Sequence, residues 1–356
     1  MKNMNIEIQT HDAVNLLKSI VNIPSISRDE KNVADHLEQY MEERSLHPHR
    51  SGNNIWCISP YYNKEKTTLL LNAHIDTVKP SDSWTRQPFV ATQEGERIYG
   101  LGTNDDGGSV VTLLQAFITL SRKEQPYNLI YLVSCEEEVS GKNGIEAVLP
   151  LLPHIDLALV GEPTGMHAAI AEKGLMVLDV TAHGKSGHAA RDEGENAIYK
   201  AIKDIEWFNT YHFEKSSPLL GEVKMSVTII NAGTQHNVIP DKCTFTVDVR
   251  SNENYSNKEL YDIICQHISS EVSARSFRLN SSRINEDHPV IQKIKELGRE
   301  TFGSPTLSDQ ALMSFPSFKM GPGDSARSHT ADEYITITEI KEAIRLYVEL
   351  LDGLHV

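Results

Sequence analysis

The sequence predicts an α/β protein in which helices cover both faces of a mostly parallel sheet, with a smaller α+β domain inserted into it. Three short apolar runs have the length of buried strands: residues 67–73, 128–133 and 156–160. Helix candidates precede and separate these runs: residues 10–21, 30–44, 107–120 and 144–152. Continuous apolar strands that alternate with helices are typical of a parallel sheet covered on both faces.

The inserted domain is indicated by a change of pattern near Gly174. The candidates that follow have the order βαββαβ, which is the ferredoxin-like arrangement. They are strands at 175–181, 222–231, 243–249 and 276–280 and helices at 195–211 and 256–272. Helices at 289–302 and 338–351 then return the chain to the first domain. We therefore predict a main domain of residues 1–174 and 282–356 and an inserted domain of residues 175–281.

Composition excludes some classes of protein. The chain has 356 residues, enough for about two domains, and a net charge of −15 that disfavours a nucleic-acid partner. No segment approaches the roughly 20 apolar residues of a membrane helix. The four cysteines are scattered and the N-terminal segment lacks the apolar core of a signal peptide. A cytoplasmic location is the simplest prediction.

Histidine and carboxylate side chains cluster in the sequence at the ends of the predicted strands. They are His74, Asp76, Glu136, Glu137, Glu138 and Glu162, joined by Asp105 and Asp106 just before the helix at 107–120. The carboxyl ends of parallel strands meet in one crevice, so we expect these side chains to lie close together. Clustered carboxylates repel one another unless a cation holds them. Imidazole and carboxylate donors suit zinc, and also cobalt or manganese.

Each feature has an alternative interpretation. The three consecutive glutamates, taken alone, are typical of a solvated acidic turn, and Asp105 alone is typical of a helix N-cap. The segment YGLGTNDDGG at 99–108 resembles a phosphate-binding glycine loop, but it has aspartate where the third glycine of G-x-G-x-x-G is needed. No Walker lysine follows it, so a nucleotide site is disfavoured.

Several ordered motifs resemble the zinc-dependent amidohydrolase and exopeptidase family of acetylornithine deacetylase, succinyl-diaminopimelate desuccinylase, aminoacylase and glutamate carboxypeptidase. In the first domain they are IPS at 23–25, NAHIDTV at 72–78, YGLGTNDDGG, EEEVSGKNG at 136–144, GEPT at 161–164 and GPGDSARSHTADEYI at 321–335. In the inserted domain they are SGHAA at 186–190, NVIP at 237–240 and DVR at 248–250. Two positions depart from the family pattern: Gly107 stands where a lysine is common, and Leu101 where an arginine is usual.

The resemblance implies a role for each matching residue. It implies two divalent ions, the first held by His74 and Glu162, the second by His329 and Glu138, with Asp105 bridging them. Glu137 is then the general base, and Asp76 orients the imidazole of His74. In the inserted domain the resemblance implies that His188 stabilises the oxyanion in the partner subunit's site, while Asn237 and Arg250 contact the substrate.

The implied activity is hydrolysis of the amide bond of an N-acyl amino acid. The closing segment at 321–335 is most similar to that of acetylornithine and acetyl-lysine deacetylases, which favours N-acetylornithine or N-succinylornithine as the substrate, in arginine biosynthesis. Alternatives are a succinyl-diaminopimelate desuccinylase, a metallo-dipeptidase or carboxypeptidase, and a catalytically silent binding homologue. The resemblance further implies a homodimer that pairs through the inserted domain, which also serves as a lid, and two metal ions per chain, zinc in the first place.

Overall fold

The computed structural model describes residues 2–191 and 193–355 and divides into two compact units. The larger unit contains the chain up to Ile170, Ile284–Phe302 and the chain from Ser308 onward. The smaller unit contains Ala171–Arg283 and Gly303–Leu307. No helix in the described part of the chain is both long enough and apolar enough to span a bilayer.

Helices and strands alternate along most of the chain. The α-helices are α1 Lys2–Val21, α2 Lys31–Glu43, α3 Gly108–Leu120, α4 Ile145–Val148, α5 Ala197–Thr210, α6 Asn257–His267, α7 Pro289–Glu296 and α8 Ile337–Leu351. The first strands are β1 His49–Ser51, β2 Asn54–Ile58, β3 Thr68–His74, β4 Thr92–Glu94, β5 Arg97–Tyr99, β6 Asn128–Ser134, β7 Leu157–Val160, β8 Ala168–Glu172 and β9 Met176–His183. The others are β10 Gly187–His188, β11 Lys224–Ala232, β12 Val238–Ile239, β13 Lys242–Arg250, β14 Glu271–Ala274, β15 Ser282–Arg283, β16 Thr301–Ser304, β17 Ser317–Lys319 and β18 Tyr334–Thr336.

The larger unit is built on a sheet whose strands follow the order β1-β2-β6-β3-β7-β17-β8. Its centre, β6-β3-β7-β17, is parallel, and antiparallel strands flank it on both sides. On one face α1, α3 and α8 pack against one another, and Tyr131 of β6 contacts Phe117 of α3. On the other face Ile145 of α4 packs with Leu70 and Ile130. This confirms the predicted α/β class.

The smaller unit has an antiparallel sheet of order β11-β13-β9-β14 that carries α5 and α6. Along the chain these elements follow the predicted βαββαβ order, and the ferredoxin-like arrangement is confirmed. Alternate residues of β13, from Cys243 to Val249, are buried in a core that includes Phe208 and Leu260 of the helices.

Four predicted elements have boundaries that differ from those of the structure. The helix predicted to reach residue 272 ends at His267, because the carboxylate of Asp204 accepts hydrogen bonds from the backbone N–H groups of Ser269 and Ser270. The last strand lies at 271–274 rather than 276–280. The helix predicted at 144–152 is α-helical only to Val148 and continues as one 3-10 turn that contains a proline. The helix predicted at 289–302 ends at Glu296, shortly before Gly298 adopts a positive φ of 73°.

Candidate active site

Six of the predicted site residues converge at the carboxyl end of the parallel strands in the larger unit. His74 ends β3, Glu137 and Glu138 follow β6 in a single 3-10 turn, and Glu162 follows β7. Asp105 lies in the irregular turn before α3, which brings its carboxylate to the same edge. His329 arrives from the loop before β18.

The two imidazoles face opposite oxygens of one carboxylate. His74 Nε2 lies 3.2 Å from Asp105 Oδ1, and His329 Nε2 lies 3.5 Å from Asp105 Oδ2. His329 Nε2 also lies 2.9 Å from Glu138 Oε2. A carboxylate between two histidines, with one oxygen toward each, has the form of a bridging ligand.

The donor groups fit divalent cations. Ligand atoms of His74, Asp105 and Glu138 lie within 4.8 Å of one another, and those of His74, Glu137 and Glu162 do so as well. Both groups differ from the predicted partition. The first places Glu138 near His74, and the second contains Glu137, the predicted base, in place of Asp105. All these donors are nitrogen or carboxylate oxygen, which zinc, cobalt and manganese accept.

The electrostatics of the site favour a positive charge within it. Burial by itself lowers the pKa of His74, but its hydrogen bond to Asp105 and its contact with Asp76 outweigh burial and hold that pKa well above the ordinary value. Burial, with the charges of neighbouring carboxylates, raises the pKa of Glu137 and of Glu162 well above the ordinary value. A cluster that binds cations is expected to show this pattern, because neighbouring carboxylates repel one another until a positive charge lies between them.

Asp76 binds the main chain that carries the glutamates. Its Oδ1 accepts a hydrogen bond from Glu137 N at 3.0 Å, and its Oδ2 accepts from Glu138 N at 3.2 Å and from Ser27 Oγ at 2.7 Å. The sequence predicts that Asp76 orients the imidazole of His74. In the structure, His74 Nδ1 lies 3.0 Å from the Asp76 carbonyl oxygen and 3.5 Å from its carboxylate. Burial opposes ionisation of Asp76, yet His74 and these hydrogen bonds lower its pKa.

The three consecutive glutamates have different environments. Glu136 adopts a positive φ of 56° and directs its Oε1 to Asn143 Nδ2 at 2.8 Å, whereas the two following carboxylates face the histidines. A Cβ at Gly141 would lie 1.8 Å from Glu136 Oε2, so this glycine makes room for the turned-away side chain. The turn therefore separates Glu136 from the cluster of donors.

Gly107, which stands where the family commonly has a lysine, lies too close to the Gly102 carbonyl oxygen for a side chain to fit. A Cβ there would lie 2.4 Å from the carbonyl oxygen of Gly102, to which the Gly107 N–H donates at 2.9 Å. In this chain a side chain such as lysine therefore has no space at that position. The other departure, Leu101, is buried.

Glu333 is a buried residue that holds the turn of Asp105. Its carboxylate accepts hydrogen bonds from the backbone N–H groups of Gly102, Asn104 and Asp105, at 3.2, 2.7 and 3.0 Å. Burial raises the pKa of Glu333 to about 8 although these donors oppose the shift. The H-x-x-x-E spacing after His329 was the available signal, but the sequence does not say which segment this glutamate holds.

The three remaining predicted residues belong to the smaller unit. His188 is exposed and lies on a two-stranded ribbon, where Ala189 N donates to the carbonyl oxygen of Asn237 at 3.0 Å. Arg250, at the end of β13, forms a two-pronged ion pair with Asp248, at 2.8 and 3.1 Å. The structure thus brings His188 and Asn237 together, and the substrate roles of all three residues stay predictions.

Known proteins resemble this chain along most of its length. A family model described as Peptidase family M20/M25/M40 matches residues 70–353. Acetylornithine deacetylase of Photorhabdus laumondii is 28% identical over 307 residues, which are 80% of this chain and 79% of that protein. Succinyl-diaminopimelate desuccinylase of Corynebacterium glutamicum is 26% identical and covers 96% of both chains.

Solved structures share the fold at low identity. Aminopeptidase PepT of Bacillus cereus superimposes with a TM-score of 0.77 at 17% identity and covers 96% of this chain and 98% of its own. The YXEP protein of Bacillus subtilis, described as a dinuclear metal-binding peptidase of family M20, has a TM-score of 0.75 at 15% identity, with 97% and 98% covered.

Proposed function

Since the chain belongs to Peptidase family M20/M25/M40 and is a metal-dependent amidohydrolase, we propose that it removes the acyl group from an N-acyl amino acid. The specific proposal is N-acetylornithine or N-succinylornithine, cleaved to ornithine and the free carboxylate. The observation that carries the proposed hydrolysis is the convergence of two histidines and four carboxylates at one end of the parallel sheet. The relatives named for deacetylation and desuccinylation support the substrate class.

We assign one metal ion to His74, Asp105 and Glu162, and the other to His329, Asp105 and Glu138, with zinc as the metal. When bound, two such ions lower the pKa of water and polarise a scissile carbonyl. In this proposal the chain's own Glu137 takes the proton of the attacking water and returns it to the leaving amine. Its Oε2 lies 4.0 Å from His74 Nε2, beside the donors without being needed to hold an ion in this assignment.

A substrate panel tests the proposal. The purified protein, loaded with zinc, is assayed on N-acetyl and N-succinyl forms of ornithine, lysine and diaminopimelate and on dipeptides. We expect the highest kcat/KM on an N-acylornithine. A preference for N-succinyl-diaminopimelate or for dipeptides would replace the substrate, and no turnover by protein with a full metal load would favour the binding homologue.

We also propose that the protein is a homodimer that pairs through its smaller unit. Its α5 and β11 expose large apolar side chains: Tyr199 and Ile202 of α5, and Ile229 and Ile230 of β11. Among the described strands, β11 has β13 as its one sheet neighbour, so its other edge is free to pair with a twin. Light scattering should give the mass of two chains, and the double change Ile229→Lys, Ile230→Glu should give the mass of one. A single-chain mass for the unchanged protein would refute the dimer.

A further inference from the structure

The side chain of Asn104 joins two segments of the site: the turn that carries Asp105 and the loop that carries His329. Asn104 immediately precedes Asp105. Its side-chain amide reaches Asp324, 220 residues further along the chain, in the loop that leads to His329. Asn104 Nδ2 donates to the carbonyl oxygen of Asp324 at 3.1 Å, and Asp324 N donates back to Asn104 Oδ1 at 3.0 Å. The same Nδ2 lies 3.4 Å from Ser328 Oγ, next to His329.

The loop is shaped to receive this amide. Gly323 has a positive φ of 87°, and a Cβ at that position would lie 2.2 Å from Asn104 Oδ1. The Asn104 side chain is fully buried, so both of its polar atoms need these partners. The contact is therefore a close, two-bond connection and not an incidental one.

The backbone of Asn104 is fixed from the other side. Its N–H donates to Glu333 Oε1, which also accepts from the N–H of Asp105. Asn104 thus lies between a carboxylate that holds the Asp105 turn and a loop that ends at His329. Little packing holds the side chain of His329, since it is 54% exposed.

We propose that Asn104 is a positioning residue for the second metal site: it fastens the 323–329 loop to the Asp105 turn and so sets the position of His329 relative to Asp105 and Glu138. This inference rests on the two-metal function proposed above. Asn104 makes no comparable connection for His74 or Glu162, which end or follow strands of the sheet. Its loss should therefore weaken the ion held by His329 and spare the ion held by His74.

Zinc titration of an Asn104→Ala variant tests this inference. Chelator-stripped protein is dialysed against buffered Zn²⁺, and the ions bound per chain are measured by elemental analysis. We expect the affinity for the second ion to fall by about 10- to 100-fold, as for other groups that orient metal ligands, with the first ion nearly unchanged. If the alanine variant does not fold, Asn104→Ser takes its place with the same expectation, because serine is too short to make both bonds to Asp324.

Asn128→Ala is the matched control. Asn128 is also a buried asparagine of the larger unit, and its Nδ2 donates to the backbone carbonyls of Asn63 and Lys66 at 2.8 and 3.1 Å, at the start of β6. It should lower the melting temperature as Asn104→Ala does, yet bind both ions like the unchanged protein. The positioning role would be overturned if Asn104→Ala bound both ions as tightly as the unchanged protein does. It would also be overturned if the affinity for both ions fell by the same factor. If the unchanged protein itself bound no second ion, the two-metal function would fail instead.

A double-mutant cycle gives an independent test. Gly323→Ala places a methyl group against Asn104 Oδ1, and Asn104→Ala removes that oxygen, whereas the backbone strain at position 323 is the same in both backgrounds. The loss of second-ion affinity caused by Gly323→Ala should therefore be smaller when residue 104 is alanine. Strict additivity of the two changes would contradict the direct connection.

Discussion

Replacing the buried Asp76 by asparagine should lower kcat without removing any proposed metal ligand. The carboxylate accepts the N–H groups of Glu137 and Glu138 on different oxygens, together with the hydroxyl of Ser27. An asparagine of the same shape has one oxygen, so one backbone N–H must face an NH₂ group. An unsatisfied buried donor and the loss of charge from the remaining bonds together cost about 2–4 kcal/mol of folding stability.

Catalysis should suffer because the affected N–H groups belong to the proposed base and its neighbouring ligand. We expect kcat to fall by about 10- to 100-fold, the range found when groups that orient ligands are removed. Steady-state kinetics, thermal melting and elemental analysis of the same preparation separate activity, stability and metal content.

Ser27→Ala is the graded control for this experiment. It removes one of the three hydrogen bonds to Asp76 and leaves both backbone bonds in place, so we expect about 1 kcal/mol of destabilisation and a kcat within about threefold of the unchanged protein. A wild-type kcat for Asp76→Asn, or an equal loss of kcat in Ser27→Ala, would refute the view that Asp76 acts by holding the 137–138 main chain.

Three further predictions concern the metals, the base and His188. Chelation should abolish activity, zinc or cobalt should restore it, and about two ions should bind per chain; full activity in a demonstrably metal-free sample would contradict the mechanism. Glu137→Gln should keep both ions and lower kcat by about 10²–10⁴, whereas Glu138→Gln should weaken metal binding, and the opposite pattern would refute this assignment of base and ligand. Mixing Glu137→Gln chains with His188→Ala chains under subunit exchange should restore activity if His188 acts on the partner's site, and proven heterodimers without activity would discard that assignment.

Several site residues could be predicted because they follow the carboxyl ends of parallel strands. His74, Glu137 and Glu162 each follow a run of apolar residues long enough to be a buried strand, and parallel strands deliver whatever follows them to one edge. These relations are local in sequence, and the order of the runs determines the fold class. His329 was assigned through family motifs, since it follows no such strand.

The elements that could not be predicted are short or depend on distant partners. Strand β17 has three residues, too few for a period of two to be visible, although it joins the central sheet beside β7. The end of α6 depends on Asp204, which lies more than 60 residues earlier in the chain. A helix pattern in the local sequence contains no information about such a partner.

By itself, the sequence determined the α/β class, the inserted ferredoxin-like order and the set of candidate donors, because all of these depend on neighbours within a few residues or on ordered motifs. Which side chains hold the donors in position depends on contacts between distant parts of the chain. Glu333 binds the Asp105 turn, Asn104 binds the loop of His329, and Asp76 binds the main chain of Glu137. Each of these hydrogen bonds joins residues at least 60 positions apart, and a buried polar group takes whichever partner the packed fold brings within 3 Å or so, which no local pattern encodes.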